Sequence, residues 1–398
     1  MPDPHAPDIN ERAGVLARAR TRKMASSAHA YMRGNTVKFY TWLNDFDAQL
    51  PQGPSIWICG DCHLGNLGPL ADSRGKVALQ IRDLDQSVIG NPAHDMIRLG
   101  LSLACAARGS DLPGVTTALM LEALVAGYVS ALGGDFEDSD APSERPKAVK
   151  STLTNAIHRR WHHLAVERLE NREPSIPLGK RFWPLSDSER VQLDDLFSTA
   201  QLHQMVTGPS GRDDGDKIEL IDAAYWMKGC SSLGRARYAA LLQVGAAELC
   251  LIDVKAAVTA AAPHARGAKM PHDNAQRVVA GAKALSPNLG ERMLAARLGG
   301  QGVVLRELTP QDLKLDIDQL TGKQAVSLAD YLARVVGRAH GRQMSPETRA
   351  DWIKVLAAGH TSSLDAPSWL WSSVVDLAAL HEAAYLNHCR AYALDAAI

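Results

Sequence analysis

Three side chains suited to phosphoryl transfer stand close together early in the chain. Asp61 and Asn66 lie in Cys59-Gly60-Asp61-Cys62-His63-Leu64-Gly65-Asn66, and Asp83 lies in Ile81-Arg82-Asp83-Leu84-Asp85. Moving a phosphoryl group to a hydroxyl needs one carboxylate to orient the acceptor. It also needs an amide oxygen and a second carboxylate to hold Mg²⁺ on the nucleotide phosphates. Asp61 is therefore the expected catalytic base. Asn66 and Asp83 are the expected ligands of Mg²⁺, a hard cation that takes oxygen ligands and keeps some waters. Asp85 points the same way as Asp83 along an extended segment, as a further ligand or an anchor.

A second group of residues supplies the nucleotide side. Gly229-Cys230-Ser231-Ser232-Leu233-Gly234 lies between two strand-like runs, which suits a hairpin tip covering phosphates with backbone N–H groups. Gly229, Ser231, Ser232 and Gly234 are the expected contacts. A P-loop is excluded, because Arg235-Ala236 stand where Lys-Ser/Thr would be needed and a strand follows instead of a helix. Lys255 ends the apolar run Leu251-Ile252-Asp253-Val254, as a lysine that pairs with α- and β-phosphates does. Val303–Leu308 reads as a strand entering a hinge, where the main chain of Glu307 and Leu308 would read the adenine edge. The helix after Pro271 lacks a central Glu to match Lys255; Asp273 and Glu291 are the nearest candidates.

Other polar residues have more modest expected roles. Asp95 should accept backbone N–H groups of the Asp61 loop and hold its shape, and His63 should be a hydrogen-bonded structural histidine. Arg33 is a candidate for a phosphate or an acidic substrate group. Lys314, His340 and Arg342 read mostly as solvated. Cys59 to His63 also spells C-x-x-C-H, the c-type haem attachment string. Haem attachment calls for export, and structural zinc calls for a second ligand pair that is missing. Both cysteines therefore read as packing residues.

The elements that must position these groups are legible in outline. Residues 11–50 are helical in spacing, and Ser55–Cys59 is a short strand delivering Asp61 to a loop. Leu67–Leu70 and Val77–Ile81 flank a turn, so the hairpin returns Asp83 beside Asn66. Helices follow Pro92 and Pro113. The acidic, breaker-rich stretch from Gly133 to Pro146 reads as a linker, and 147–171 and 187–206 as helices. Strands are expected at Ile218–Ala224, Arg237–Val244, Leu249–Val254 and Gly302–Arg306, with a helix over Ala275–Leu285. Beyond Pro310 the chain is helical, including Val326–His340 and Val374–Ala393.

Bulk properties narrow the classes. The 398 residues are 46% hydrophobic and 22% charged, and 43 Lys plus Arg nearly balance 44 Asp plus Glu. No global field attracts nucleic acid or an anionic membrane. Six cysteines without dense even spacing argue against a disulfide framework. No apolar run approaches the roughly 20 residues of a membrane helix, and the N-terminus lacks an apolar signal core. A cytoplasmic protein is expected.

Taken together, the strings resemble a bacterial family known as domain of unknown function 2252. They are Lys23-Met24, Tyr31-Met32-Arg33-Gly34, Gly60-Asp61-x-His63-x-x-Asn66, Asp83-x-Asp85, Ser232-Leu233-Gly234, Val254-Lys255, Gln276-Arg277-Val278-Val279 and Arg306-Glu307-Leu308. Gly-Asp-x-His-x-x-Asn is also similar to the catalytic loop of aminoglycoside and choline phosphotransferases, within the protein-kinase-like superfamily. That resemblance implies Asp61 as base, with Asn66 and Asp83 as metal ligands. It implies an α+β, two-lobed kinase-like fold using ATP and Mg²⁺. The order departs from that superfamily, because the β-rich segment follows the catalytic loop; a circular permutant is expected. Its parts would be a helical segment 1–210, a β-rich nucleotide segment 211–311 and a closing helical segment 312–398. The expected activity is phosphorylation of a small-molecule hydroxyl. Two alternatives are a nucleotide-binding pseudokinase and a metal phosphohydrolase using Asp61, His63, Asp83, His94 and Asp95.

Overall fold

Local cues set the N-terminal helices, and the strands after them frame the Asp61 loop. A computed structural model describes residues 7–46, 50–134, 145–158, 175–208, 212–229, 233–246, 248–313, 320–358, 360–361 and 364–395. Helices α1 (Arg12–Ala25), α2 (Ala28–Gly34) and α3 (Thr36–Phe46) come first. Ser27 caps α2 by accepting the Ala30 N–H at 3.0 Å. Strand β1 (Ile56–Ile58) then leads into the loop, and one 3₁₀ turn at Leu64–Asn66 precedes the hairpin of β2 (Leu67–Ala71) and β3 (Val77–Ile81). Strand β4 (Val88–Gly90) runs back antiparallel to β1, with Ile56 opposite Gly90. Both acidic strings are thus tied at the ends of short ladders.

Helices α4 (Ala93–Gly109), α5 (Gly114–Gly133) and α6 (Lys147–His158) follow. The chain next builds one six-stranded antiparallel sheet. It uses β5 (Phe182–Trp183), β6 (Ile218–Trp226), β7 (Arg237–Val244), β8 (Glu248–Ala256), β9 (Met293–Leu298) and β10 (Gln301–Leu308), in the order β5-β6-β7-β8-β10-β9. Helices α7 (Asp187–Phe197) and α8 (Ala200–Thr207) precede β6, while α9 (Asn274–Leu285) and the short α10 (Pro287–Gly290) lie between β8 and β9. The chain closes with α11 (Gly322–Gly341), α12 (Pro346–Ala357), the ladder of β11 (His360–Thr361) and β12 (Leu364–Pro367), and α13 (Ser368–Asp395).

Alternation along the strands gives the sheet two faces. Tyr238, Ala240, Leu242, Cys250, Ile252, Val254, Val303 and Leu305 pack with Leu193, Phe197, Leu202 and Val206 of α7 and α8. The opposite face carries Arg237, Asp253 and Lys255 beside an apolar patch that includes Trp226, Leu251 and Leu308. Helix α9 covers the end of this second face, with Val278 and Val279 against Val304, the cross-strand partner of Lys255.

The molecule is a mixed α+β protein with a β-rich stretch between helical ones. Several details differ from the sequence expectation. The sheet draws on residues ahead of 211, since β5 pairs with β6 and α7 and α8 pack beneath. Met293–Leu298 carries Ala and Leu that favour helix, yet its pairing with β10 makes it a strand. The linker core 135–144 and the helix expected beyond His158 fall outside the described residues. Helix α5 corrects the membrane reading: its 20 residues are long and apolar enough to cross a bilayer. In this fold it is a core helix, packed on α4 and α11.

The contact between α5 and α11 is close because glycine allows it. A Cβ on Gly127 would lie 2.3 Å from the Asp330 carbonyl oxygen, and one on Gly337 would lie 2.8 Å from that of Tyr128. In a free helix Gly→Ala stabilises, by about 0.5–1 kcal/mol. Here Gly127→Ala should instead destabilise by about 1–3 kcal/mol through overpacking. Denaturant titration checks this, as a lower midpoint at unchanged slope.

Candidate active site

The Asp61 loop is held by a buried carboxylate beneath it. Asp95, in the first turn of α4, accepts the Cys59 N–H at 2.7 Å and the Gly60 N–H at 2.9 Å. Gly60 adopts φ +72°, and a Cβ there would stand 2.2 Å from the Gln86 carbonyl oxygen. Only glycine suits that turn. Tyr40 donates its hydroxyl to the Gly60 carbonyl at 2.6 Å.

Behind Asp95 runs a chain of buried hydrogen bonds. His340 Nε2 lies 3.2 Å from Asp95 Oδ2, Tyr128 Oη lies 2.9 Å from His340 Nδ1, and Trp352 Nε1 donates to Tyr128 Oη at 3.3 Å. Indole is a donor only and a carboxylate accepts only. The donors therefore run from Trp352 through Tyr128 and His340 to Asp95, which fixes the imidazole with its proton on Nε2. His340, which the sequence suggested was solvated, is fully buried. Helices α12, α5 and α11 are thereby linked to the loop.

Asp61 itself is buried, with Oδ1 accepting Arg98 Nε at 2.8 Å. Arg98 sits three residues after Asp95 on α4 and also donates to the Met32 carbonyl at 2.9 Å. Burial pushes the Asp61 carboxyl above the ordinary aspartate range, against the pull of Arg98. Asn66 Nδ2 donates to the Asp61 carbonyl at 2.9 Å, so its amide oxygen is the end suited to a cation. The Arg82 N–H donates to the Asn66 carbonyl at 2.7 Å and brings Asp83 alongside.

Lys255 meets these acids from the sheet. Its Nζ lies 2.5 Å from Asp85 Oδ2 and 3.5 Å from Asp83 Oδ1. Arg235 adds a contact of 3.6 Å to Asp85. Burial would raise Asp83, but Lys255 and then Arg237 outweigh it and hold that carboxyl well below its usual range. Burial and the neighbouring Asp83 charge push Asp85 up, with Lys255 opposing. Burial disfavours the Lys255 ammonium, yet the two carboxylates keep its proton bound more tightly than usual.

The helix carboxylate sought for Lys255 is replaced by these two aspartates. Asp273 caps α9 by accepting the Ala275 and Gln276 N–H groups, and Glu291 accepts the Ser73 N–H at 3.4 Å. What α9 contributes is Arg277, which donates to the Ser87 carbonyl and, at 3.0 Å, to that of Asp85. Arg306 of β10 likewise donates to the Arg82 carbonyl at 3.0 Å. Arg98, Arg277 and Arg306 escaped the sequence reading, because an arginine on a helix or strand usually reads as a solvated cation. The Gln276-Arg277-Val278-Val279 and Arg306-Glu307-Leu308 strings were the signals present for two of them.

The remaining candidates are distributed as follows. Gly229 and Gly234 take φ +98° and +97°, and the Gly229 carbonyl accepts Lys23 Nζ at 2.6 Å. Ser231, Ser232 and Lys314 lie outside the described residues. Glu307 is turned to the α7–α8 face, where it pairs with Arg212 at 2.8 Å. Its N–H and carbonyl are both engaged by Arg292, so its main chain is committed within the protein. Leu308 joins the apolar patch with Trp226 and Leu251. Arg342 donates to the Leu285 carbonyl at 3.1 Å. His63 is buried with Nε2 3.8 Å from Asp61 Oδ2, and Arg33 lies against Gly65 in the same loop. Cys59 and Cys62 are free and fully buried, as packing residues are.

The donor set suits Mg²⁺ better than a transition metal. Among the described residues no group of three His, Cys, Asp or Glu is placed to hold a metal ion. Mg²⁺ takes one or two carboxylates together with waters and substrate phosphates. Asp83, kept ionised and two-fifths exposed at its side chain, meets that need with Asn66 and Asp85 beside it. Asp95 has both oxygens committed to the protein.

A family profile matches residues 12–391, and the chain belongs to that family, described as an uncharacterized protein conserved in bacteria (DUF2252). No curated protein and no solved structure matches the chain at a significant level.

The buried histidines near the site make stability depend on pH. Burial, then Arg33 and Arg98, lower His29 from 6.5 to about 4; burial and Arg33 hold His63 well below 6.5; burial and Arg98 lower His381 to about 4. Folding keeps each imidazole neutral, so the unfolded chain binds more protons below 6.5. Stability should be complete above that pH and fall toward pH 4, by up to about 1.4 kcal/mol per pH unit for each histidine. Chemical denaturation across this range should show the decline, and His29→Gln should remove roughly one proton from its slope.

Proposed function

We propose that this protein is an ATP- and Mg²⁺-dependent phosphotransferase that modifies a hydroxyl of a small molecule, on a circularly permuted, two-lobed kinase-like fold. One observation carries the reading. Lys255, brought by the sheet, stands at 2.5 and 3.5 Å from two aspartates delivered by the hairpin after the Asp61–Asn66 loop. The order of elements supports it. A glycine-tipped hairpin (β6–β7), a strand ending in lysine (β8), a helix (α9) and two further strands (β9, β10) is the order of a kinase nucleotide lobe. Helix α13 packs on α1 and α2, so the first and last helices of the described residues lie together, which would make the permutation inexpensive.

In this reading the acceptor hydroxyl sits at Asp61. Its oxygen bonds to the γ-phosphorus as the bond from that phosphorus to the bridging oxygen of ADP breaks, and Asp61 takes the proton. The raised basicity of Asp61 favours proton transfer, and Arg98 holds the carboxylate in place. Lys255 and Arg235 exchange carboxylate partners for phosphate oxygens. Asn66, Asp83 and Asp85 would hold Mg²⁺, which neutralises phosphate charge when bound.

A second reading, a nucleotide-binding regulatory protein, is favoured by one feature. On the face of the sheet that carries Lys255, Arg237 and Asp253 form a buried ion pair beside Trp226, so a base entering there meets charge. The phosphohydrolase reading is weakened by the commitment of Asp95.

Asp61→Ala should leave Mg·ATP binding intact while reducing transfer by about 10²-fold or more. Calorimetry and a phosphate-transfer assay over a broad acceptor panel measure the two quantities. Retained turnover in the variant defeats the assignment. Mg·ATP binding without product in the wild type favours the regulatory reading, and tight transition-metal content favours the hydrolase.

A further inference from the structure

Arg33 on α2 is an arginine beside the Asp61 loop that has no ion pair and no hydrogen bond among the described residues, and its Nε is buried. Other arginines of the fold have partners, Arg277 through main-chain carbonyls and the following through carboxylates. Arg98 has Asp61, Arg237 has Asp253, Arg212 has Glu307, and Arg292 and Arg306 share Asp312. Arg33 is half-buried with its Nε away from water, and a guanidinium so placed normally has a partner.

The position of Arg33 is fixed by the catalytic loop. A Cβ built on Gly65 would meet its Cζ, Nη2 and Nε at 2.9, 3.0 and 3.1 Å, so the guanidinium plane lies face-on against that glycine. Its edge is then left to bind. Next to it, His63 Nδ1 and His29 Nε2 are buried without a hydrogen-bond partner. His63 has only 3% of its surface exposed and reaches to 3.8 Å from Asp61 Oδ2. The adjacent carboxylate, Asp61, is already used by Arg98. A cation and two imidazole nitrogens without a hydrogen-bond partner therefore lie beside the loop that carries Asp61, His63 being the one that reaches the carboxylate. The depressed basicity of both histidines keeps them neutral near pH 7, so each offers one donor or acceptor and no charge.

We propose that the acceptor is a small hydroxylated acid whose anionic group pairs with Arg33 and is hydrogen-bonded by His63 or His29 while its hydroxyl lies at Asp61. This rests on the phosphotransferase reading for the identity of the hydroxyl, and on Arg33 alone for the anion. The nucleotide phosphates have their own cations in Lys255 and Arg235, on the side of Asp83 and Asp85. A polycationic acceptor is disfavoured by the same guanidinium. Carboxylate and phosphate share the chemistry that Arg33 recognises.

Calorimetric titration of matched sets separates these possibilities: glycerate, glycerol 3-phosphate and glycerol, then gluconate, glucose 6-phosphate and glucose. Each is added to the wild type, Arg33→Gln and Arg33→Lys, with and without Mg·ATP. At least one anion should bind the wild type about tenfold or more tighter than its neutral counterpart, the range of one charge-assisted hydrogen bond. Which acid wins identifies carboxylate or phosphate. Arg33→Gln should erase the preference, Arg33→Lys should keep part of it, and Mg·ATP affinity should not move. The proposal is overturned if no anion exceeds its neutral counterpart, or if Arg33→Gln keeps the preference. It is also overturned if that variant weakens Mg·ATP instead, which makes Arg33 a nucleotide contact. Anion binding lost in Arg33→Gln by a protein that never binds Mg·ATP would refute the phosphotransfer reading and leave the anion site standing.

Discussion

The site depends on one ammonium group placed between two carboxylates. Asp83 and Asp85 lie two residues apart between β3 and β4, Asp85 at the start of a turn, and would repel each other if left alone. Lys255 lets both face the same cleft, with Arg235 as a further counterion. The lysine is delivered by register: Arg237, Lys255 and Val304 stand opposite one another across β7, β8 and β10. A one-residue slip in β8 would turn Lys255 to the α7–α8 face and leave both aspartates uncompensated. Arg277 and Arg306 complete the arrangement by fixing the main chain at Asp85, Ser87 and Arg82. The sheet, the turn before β7 and α9 therefore act on the acidic stretch after β3 through four cations, each with a defined partner.

Helix α4 does the corresponding work on the other side. Asp95 and Arg98, three residues apart, lie on one face of it. One carboxylate collects the N–H groups of Cys59 and Gly60, and one guanidinium holds the Asp61 side chain. The two residues carry opposite charge and are both fully buried. Removing either would leave an uncompensated buried charge or two unpaired backbone donors, which is costlier than the pair itself is stabilising. The chain from Trp352 to His340 spreads that constraint across α12, α5 and α11.

The sequence revealed the acidic strings and Lys255 because each sits beside a strong local signal. A β-branched run precedes Asp61, a turn-rich stretch separates β2 from β3, and an apolar run ends at Lys255. The strands on either side of the glycine hairpin were legible for the same reason. What stayed hidden is non-local. β9 takes strand form only by pairing with β10, and the partners of Lys255 come from a segment about 170 positions upstream, so no spacing rule links them. Arg98, Arg277 and His340 look like ordinary helix polar residues until neighbouring helices bury them. Glu307 read as a hinge residue through its main chain, and what the sequence did not reveal is that Arg292 engages both its N–H and its carbonyl.

Helix α1 joins the two halves of the molecule like a tie-rod. At its start Arg12 grips Glu189 and lies over the Tyr225 ring on the sheet side, and in its last turn Lys23 reaches the Gly229 carbonyl. At its far end the carbonyls of Thr21 and Ala25 accept His388 Nε2 and Tyr385 Oη from α13. A rigid rod of 14 residues bolted at both ends resists the hinge swing by which two-part enzymes commonly admit their ligands. A ligand of the proposed site would then be admitted by local rearrangement of side chains and loop tips, with the charge partners of Lys255 exchanged as it enters.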